Sequence, residues 1–383
     1  MQDRITTALE ASLAAGGIPG AVALVGNRSG TIAEVAVGTR GPGGPALTTD
    51  SLFQIASMTK AVTSVAVMQL VEQGRLALDE DIGTLLPGLA DPLVLTGFGA
   101  DGSAITRSAA GPVTLRQLLT HTSGLGYEFM SAELSQWRTL NPAAQGSRAS
   151  LLLPLLADPG TAWIYGISTD WAGLAVEAAS GMPLGDWFAR HIFGPLGMTD
   201  TGFGFDEAVK ARLAPLHVRT PDGGLVPMPV HFGGGDAAEF QSGGGGLTGS
   251  AHDYLRFVRM LLNGGSLDGA RILKAQTVAD MTRNHIGPLR AGVMETNVPG
   301  FAGRIEWFPE MTPGWGLGFM INPDPGPDGR APGAQAWAGI ANSYYWFDPA
   351  SDIAAVLMMQ HLPFGEAPAM AVLSAFEAAV YGP

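Results

Sequence analysis

Strand-forming runs at the two ends of the chain constrain its fold more than any other feature of the sequence. Residues 20–27 and 31–39 are apolar and β-rich, and a short turn joins them, which is typical of a hairpin. Strand patterns return only near the C-terminus, at 314–321, 334–340, 343–349 and 352–360. We expect the strands of both ends to pair into one antiparallel sheet, because elements of one core bury a shared apolar face.

Helical and loop patterns occupy the middle of the chain, and a helix is predicted at each terminus, near residues 1–17 and 368–382. The sequence therefore predicts an α/β fold, in which an antiparallel sheet is flanked by terminal helices and carries an inserted, mainly helical domain. The sheet domain is expected to be discontinuous, with residues 1–60 and about 250–383, and the helical and loop domain to span about 61–249. Active sites commonly lie in the cleft between two such lobes, so the site is expected there.

The composition narrows the possible partners. Of the 383 residues 46% are hydrophobic, which is ample for a core, and 34 acidic against 21 basic residues give a net charge of −13. This charge argues against nucleic acid and anionic membranes as partners and favours a small molecule. The absence of cysteine excludes disulfides and a thiolate nucleophile. Without a signal-peptide pattern or a long apolar run, a cytoplasmic location is expected, and no pattern indicates an oligomeric state.

Ser57 and Lys60 lie one helical turn apart in the segment SMTK (57–60), which precedes the apolar run AVTSVAVMQLV (61–71). Residues i and i+3 share a helix face, so the serine oxygen and the lysine amine can form a hydrogen bond. Burial would lower the pKa of the Lys60 amine and let it accept a proton near neutral pH, which predicts an activated serine nucleophile. The structural alternative is a helix start at which Ser57 caps the first turn and Lys60 reaches water.

Other motifs argue against other chemistries. His121 stands in an HTSGL turn (121–125), for which we favour a structural role over a Ser-His-Asp triad. The chain has no Gly-x-Ser-x-Gly elbow, and its histidines lack metal-ligand spacing, so neither a metal nor a cofactor is predicted. Residues 244–249 match a G-x-G-x-x-G pattern, but no apolar strand precedes them. We predict instead a glycine-rich loop next to the site, with Ser250 capping the helix that follows.

Five segments in order carry a resemblance to a known superfamily. They are SMTK (57–60), HTSGL (121–125), WIYGIST (163–169), SGGGGLTGSAHDYLRF (242–257) and WAG (337–339). Together they resemble the serine β-lactamase and penicillin-binding-protein superfamily, and the similarity spans nearly the whole chain. Within that superfamily the chain is most similar to the family VIII carboxylesterases, which are esterases on the class C β-lactamase fold.

The resemblance implies a role for each matching residue. Ser57 would be the nucleophile, and Tyr165, its phenol proton loosened by Lys60, would be the general base toward Ser57. The backbone N–H groups of Ser57 and Ile340 would hold the oxyanion. The start of a helix suits the first of these donors, because unpaired N–H groups and the positive end of the helix dipole favour an oxyanion there.

Two departures from the superfamily pattern bear on the substrate. Trp337-Ala338-Gly339 stands where β-lactamases carry Lys-Thr-Gly, and losing those side chains removes the groups that would bind a substrate carboxylate. Tyr165-Gly166-Ile167 replaces the usual Tyr-x-Asn and removes the polar partner of an amide side chain. Gly339 is expected to let the backbone approach the substrate, and Trp337 to form pocket wall or, alternatively, to be a buried strand residue.

Aromatic residues near the motifs are candidates to line an apolar pocket, with scattered core packing as the alternative. They are Tyr127, Phe129, Trp137, Trp163 and Phe240.

The leading hypothesis is a serine carboxylesterase that hydrolyses small neutral esters through an acyl-serine intermediate. The same site could serve a β-lactamase, a D-aminopeptidase, another amide hydrolase or an acyltransferase. A non-catalytic receptor is the alternative of a different class, and the intact set of Ser57, Lys60 and Tyr165 argues against it.

Overall fold

The computed structural model describes residues 1–233 and 238–382. The helices are α1 Gln2–Gly16, α2 Thr59–Glu72, α3 Leu115–Leu119, α4 Ala132–Leu140, α5 Ser168–Ser180, α6 Leu184–Phe188, α7 Gly194–Leu196, α8 Glu207–Arg212, α9 Ala251–Leu262, α10 Ala275–Met281 and α11 Ala367–Tyr381. The strands are β1 Gly20–Gly26, β2 Thr31–Gly38, β3 Leu52–Gln54, β4 Leu93–Phe98, β5 Ala104–Ser108, β6 His217–Arg219, β7 Leu225–Pro227, β8 Thr248–Ser250, β9 Ser266–Leu267, β10 Ala270–Arg271, β11 Val293–Met294, β12 Ile305–Glu306, β13 Gly314–Trp315, β14 Met320–Ile321, β15 Gln335–Gly339, β16 Ser343–Asp348, β17 Ile353–Met358 and β18 His361–Leu362.

A seven-stranded antiparallel sheet unites the two ends of the chain. Its strand order is β13-β14-β15-β16-β17-β1-β2, so the N-terminal hairpin continues the sheet that the C-terminal strands begin. The join lies between β1 and β17, where Val22 pairs with Met358 and Gly26 with Ala354. The prediction of one sheet built from both ends is confirmed.

Helices cover both faces of the sheet. Every residue of β1, β15, β16 and β17 is buried, as expected for strands packed on two sides. Trp346 contacts Phe376 of α11 with ring centroids 5.3 Å apart, and Tyr345 contacts Tyr254 of α9 at 5.1 Å. Because successive strand residues point to opposite faces, α11 lies on one face, together with α1 packed against it, and α9 on the other.

The prediction of one strand over 314–321 is wrong. The segment forms two short strands, β13 and β14, which pair antiparallel with Trp315 opposite Met320. The chain reverses between them, where the Gly316 N–H donates to the Phe319 carbonyl at 2.8 Å and Gly318 adopts a φ of +110°. Glycine tolerates this conformation, so an apolar run that resembles one strand folds as a hairpin.

Helix α2 is buried nearly all round, as its apolar sequence predicts, and it packs against α5. It ends at Glu72, and Gly74 follows with a φ of +69°, a left-handed conformation in which glycine commonly ends a helix. A short helical turn, Ala56–Met58, leads into α2 and carries Ser57. The helix therefore holds Lys60 in its first turn, inside the protein.

The division into a sheet domain and a helical domain stays a prediction, and residues 234–237 and 383 of those ranges lie outside the described residues. In the two described ranges, none of the helices has the length and apolar character that crossing a bilayer requires.

Candidate active site

Lys60 lies at the centre of the candidate site and is 1% exposed. Its Nζ donates hydrogen bonds to Ser57 Oγ at 3.2 Å, to the Tyr127 hydroxyl at 2.9 Å and to the Gly244 carbonyl at 2.7 Å. An ammonium group has three N–H donors, so these acceptors satisfy it completely. The helix-cap alternative for the motif does not describe this lysine, because its amine points into the protein and contacts the serine.

The charge of Lys60 differs from the sequence-based prediction. Burial by itself lowers the pKa of this amine, but the neighbouring Tyr127, Tyr165 and Asp170 side chains outweigh burial and raise its pKa above the ordinary value. The expectation that Lys60 accepts a proton near neutral pH is therefore wrong. A lysine that keeps its proton acts instead as a buried cation, which stabilises negative charge on nearby oxygens.

Two tyrosines flank the ammonium group. The Nζ atom of Lys60 lies 4.9 Å from the ring centroid of Tyr165 and 5.3 Å from that of Tyr127. The Tyr127 hydroxyl accepts the hydrogen bond from Lys60, whereas the Tyr165 hydroxyl accepts one from the indole Nε1 of Trp337 at 2.9 Å. Burial raises the pKa of Tyr127, and the opposing effect of Lys60 does not offset it, so this tyrosine stays a phenol.

Sequence reasoning assigned Tyr127 to the pocket wall and missed its bond to Lys60. The signal that could have found it is its position two residues after the HTSGL turn, which the fold brings beside the serine.

Asp170 is a further polar residue that sequence reasoning missed. It lies in the first turn of α5, is buried, and its Oδ1 accepts from the Ser242 hydroxyl at 2.6 Å and from the Gly244 N–H at 3.0 Å. The carbonyl of Gly244 in turn accepts from Lys60, so the carboxylate holds the loop that positions the amine. Its signal was an acidic residue five positions after Tyr165, at the start of an otherwise apolar helix.

The glycine-rich loop next to the site is confirmed by the Lys60 bond to Gly244. Ser250 caps α9 as predicted, since its side chain accepts from the Asp253 N–H at 3.2 Å.

Both predicted oxyanion donors face the same cavity. Ser57 and Ile340 line it, and within the described residues neither backbone N–H donates a hydrogen bond to another group. Ser57 follows Ala56, whose φ of +44° is uncommon for a residue with a Cβ, and such strain often accompanies functional sites. Stabilising a tetrahedral oxyanion is the role that the sequence predicts for these two N–H groups.

Gly339 lies where two backbone segments approach closely. It does not line the cavity, and a Cβ placed on it would come 2.4 Å from the carbonyl oxygen of Ile55. The backbone ahead of Ser57 therefore makes a close approach that requires glycine at this position, and the approach of a substrate to Gly339 stays a prediction. This contact sets the distance between strand β15 and the serine.

A cavity of about 580 Å³ opens in front of Ser57. Of the aromatic candidates, Tyr127, Phe129, Phe240 and Trp337 line it, while Trp137 and Trp163 do not. Further apolar lining comes from Met130, Leu151, Leu153, Ile167, Phe232, Met294, Val298, Phe301 and Phe364. Such a cavity suits an apolar ligand larger than a short-chain ester.

Arg138 is the basic residue among the described side chains that line the cavity, and Glu128 neutralises it. The Arg138 Nε donates to Glu128 Oε1 at 2.7 Å, and its other nitrogens donate to the carbonyls of Ser150 and Asn141 at 2.7 and 3.1 Å. Lys60 is likewise occupied by its three acceptors. The described part of the cavity thus offers no unpaired cation to a substrate carboxylate.

His121 is buried beside Tyr165, with ring centroids 4.7 Å apart. Burial, with a contribution from the charge of Lys60, lowers the pKa of His121 well below its ordinary value, so the ring is neutral. It packs against Tyr165 and Trp315 and makes no hydrogen bond to Ser57 in the described residues. These contacts agree with the structural role favoured from the sequence. Histidine, aspartate and glutamate side chains form no group of three suited to a metal within residues 1–233 and 238–382.

Comparison with known proteins shows the family to which the chain belongs. The model of the Beta-lactamase family matches residues 5–379. The chain belongs to the beta-lactamase family. This family member is 36% identical to the lovastatin esterase of Penicillium rubens over 287 residues, which cover 71% of this chain and 70% of that protein. It is 30% identical to a monacolin J acid methylbutanoyltransferase of Aspergillus terreus over 349 residues, or 88% and 83% of the two chains.

A solved structure extends the likeness to the fold. Unliganded simvastatin synthase (LovD) from Aspergillus terreus superposes with a TM-score of 0.82 at 29% identity, over 98% of this chain and 97% of that one. The predicted fold class is confirmed. This beta-lactamase family member is thus an enzyme of the serine hydrolase and acyltransferase type, in which an acyl-serine forms.

Proposed function

We propose that this enzyme is a carboxylesterase that hydrolyses neutral esters through an acyl-Ser57 intermediate. The observation that carries the proposal is the contact of a fully satisfied, buried lysine with Ser57, in a cavity whose other cation, Arg138, is already paired. The first part supplies a nucleophile, and the second disfavours substrates with a carboxylate, which would be desolvated there without a partner. On the Trp337-Ala338-Gly339 segment we also propose membership of the family VIII carboxylesterases.

The reaction begins with Lys60 as an ammonium and with Tyr165 as the group that accepts the Ser57 proton. As the Ser57 oxygen bonds to the ester carbonyl carbon, its proton passes to the Tyr165 oxygen, and the carbonyl oxygen takes the negative charge. The N–H groups of Ser57 and Ile340 hold that oxyanion. When the tetrahedral intermediate collapses, the bond to the alcohol oxygen breaks and the Tyr165 proton goes to the leaving alkoxide.

Hydrolysis of the acyl-enzyme repeats these steps with water. Water gives a proton to Tyr165 and bonds to the acyl carbon, and the proton then returns to Ser57 as the acid leaves. The proton count of the site is unchanged after one cycle.

Transfer of the acyl group to an alcohol is the second candidate function. One relative of this chain is named a methylbutanoyltransferase and another an esterase. Relatives of this chain are therefore named for both acyl transfer and ester hydrolysis. The volume and apolar lining of the cavity would admit a bulky alcohol in place of water. We propose hydrolysis as the main activity and transfer as a competing one.

Substitution of the nucleophile tests the proposal. Ser57→Ala is expected to lose more than about a thousandfold of kcat/KM on p-nitrophenyl butyrate, because the acyl-enzyme cannot form. Intact mass of the wild type trapped with a fluorophosphonate should show one adduct, and the variant none. Ser108→Ala, at an exposed strand end, is the matched control and should keep full activity. Full activity of Ser57→Ala would refute the proposal.

A pair of substrates tests the preference for neutral esters. We expect kcat/KM on p-nitrophenyl butyrate to exceed that on the p-nitrophenyl ester of succinic acid, whose free carboxylate meets no unpaired cation, by at least about tenfold. Equal turnover of the two would contradict the preference. Adding an alcohol and measuring the ester-to-acid product ratio separates transfer from hydrolysis.

A further inference from the structure

The indole of Trp337 has a polar contact that a simple pocket wall does not need. Trp337 lies on β15, is 5% exposed, and its Nε1 donates to the Tyr165 hydroxyl oxygen at 2.9 Å. Their ring centroids are 5.0 Å apart. Tyr165 is itself 8% exposed, so the hydrogen bond is shielded from water.

The direction of this hydrogen bond has a chemical consequence. An indole N–H is a donor only, so it cannot accept the proton of the Tyr165 hydroxyl. That proton must therefore point away from Trp337, toward the side that faces Lys60 and the cavity. If Tyr165 loses the proton, the indole N–H bonds a negative oxygen, and such charge-assisted hydrogen bonds are about twice as strong as neutral ones.

Tyr127 has no comparable partner for a negative oxygen apart from Lys60. Its hydroxyl accepts one of the three N–H groups of that lysine, and burial keeps it in the phenol form. Lys60 is shared among three acceptors, whereas the Trp337 N–H serves Tyr165 alone. Tyr127 therefore keeps its proton, and Tyr165 is the hydroxyl that has an N–H donor of its own.

We propose that Trp337 is a positioning residue that makes Tyr165, rather than Tyr127, the proton acceptor of Ser57. The inference rests on the proposed function, because it assigns the proton step of that same acyl-transfer reaction. In that step the serine proton goes to the Tyr165 oxygen while the serine oxygen bonds to the acyl carbon. The indole N–H bonds the Tyr165 oxygen before the transfer and holds it in place after it.

Aromatic neighbours fix the donor. Trp315 meets Trp337 edge-on with ring centroids 4.6 Å apart, and Trp163 lies 6.3 Å from it. His121 packs on the other ring of the pair, Tyr165. A donor held in place in this way loses little conformational freedom when it bonds the Tyr165 oxygen. We therefore expect its removal to lower kcat more than it changes KM.

Removal of the N–H while the ring is kept tests the inference. Trp337→Phe and, by unnatural amino-acid incorporation, Trp337→3-benzothienylalanine both lack the donor, and the second keeps the indole shape. For both we expect kcat to fall about tenfold to a hundredfold, with KM changed less than about threefold. The ascending limb of kcat against pH should move to higher pH by at least about half a unit, because the phenolate is then harder to form.

Trp315→Phe is the matched control. Its indole N–H donates to the Leu119 carbonyl at 3.0 Å and does not contact Tyr165, although it belongs to the same aromatic cluster. This variant should lower thermal stability and leave the ascending limb in place.

The outcomes separate the inference from the function on which it rests. An unmoved pH limb in the benzothienylalanine variant, whether or not kcat falls, overturns the role of Trp337. That result leaves the esterase proposal intact as long as the wild type forms the Ser57 adduct. An active Ser57→Ala variant overturns the function itself. The near-UV spectrum of each variant shows that it is folded when activity is compared.

Discussion

The charge of Lys60 is decided by its neighbours rather than by its burial. Desolvation alone would release the proton of a buried amine, but two tyrosine oxygens and Asp170 surround this one and raise its pKa. A lysine that holds its proton cannot take the proton of Ser57, so the acceptor must be another group. The two tyrosines beside Lys60 are the candidates to accept this proton.

Substituting phenylalanine for each tyrosine in turn tests which of the two accepts the Ser57 proton. Tyr165→Phe is expected to lower kcat about a hundredfold to ten-thousandfold, which is the usual range for a lost general base. Tyr127→Phe removes only a hydrogen bond to Lys60 and should cost about tenfold. Initial rates on p-nitrophenyl butyrate, with each variant first checked for its near-UV spectrum, measure both. A larger loss in Tyr127→Phe than in Tyr165→Phe would assign the proton step to Tyr127.

At the scale of elements, the approach of β15 to the segment before α2 brings the two predicted oxyanion donors to one cavity. Gly339, the last residue of β15, lies against the Ile55 carbonyl. The next residue, Ile340, lines the cavity. Ser57 comes two residues after Ile55, in the short turn that opens α2. Ser57 and Ile340 reach the same cavity because no side chain separates these two segments.

Gly339→Ala tests this contact. The added Cβ would lie 2.4 Å from a backbone oxygen that cannot rotate away, so the strand or the turn must shift. We expect kcat/KM to fall at least tenfold and the free energy of unfolding to fall by about 1–3 kcal/mol. Gly30→Ala, in the β1–β2 turn with no atom within 4 Å of the new Cβ, is the control and should change neither. Wild-type kinetics in Gly339→Ala would contradict the account.

At the scale of the whole molecule, segments far apart in sequence are tied together outside the large sheet. Strand β6, from the middle of the chain, pairs in parallel with β18 near its end. Arg219 of β6 binds both carboxylate oxygens of Glu366, at 2.6 and 2.7 Å, just before α11 begins. His361 Nε2 lies 3.1 Å from the same carboxylate. This cluster joins the middle region to the terminal helix.

The cluster predicts a pH-dependent stability. Burial by itself would raise the pKa of Glu366, but the nearby His361 ring and the hydrogen bonds from Arg219 outweigh it and hold the pKa below the ordinary value. A depressed carboxyl pKa means that the stabilisation is present above the unfolded value, near 4.5, and is lost as the pH falls through the folded value. Glu366→Gln should therefore lower the free energy of unfolding by about 2 kcal/mol at pH 7.

Urea unfolding of wild type and Glu366→Gln from pH 7 to pH 3 measures this dependence. The difference between the two proteins should narrow as the pH falls below about 4.5, where Glu366 of the unfolded chain becomes protonated, and vanish below the lowered pKa of the folded state. Glu207→Gln, at an exposed carboxylate, is the control and should change stability by less than about 0.5 kcal/mol at any pH. A difference that stays constant across the range would contradict the assignment.

The sequence by itself determined the elements and the reactive pair. The two-strand hairpin, the terminal helices and the buried α2 follow from local apolar periodicity, and Ser57 and Lys60 meet because they lie one helical turn apart. Only the tertiary structure decided which residues complete the site. Lys60 bonds Tyr127, 67 positions away in the chain, and Gly244, 184 positions away, and Asp170 in turn holds Gly244. The hydrogen bond between Trp337 and Tyr165 spans 172 positions. Local spacing carries no information on such pairs, because they meet only when separate elements pack into one core.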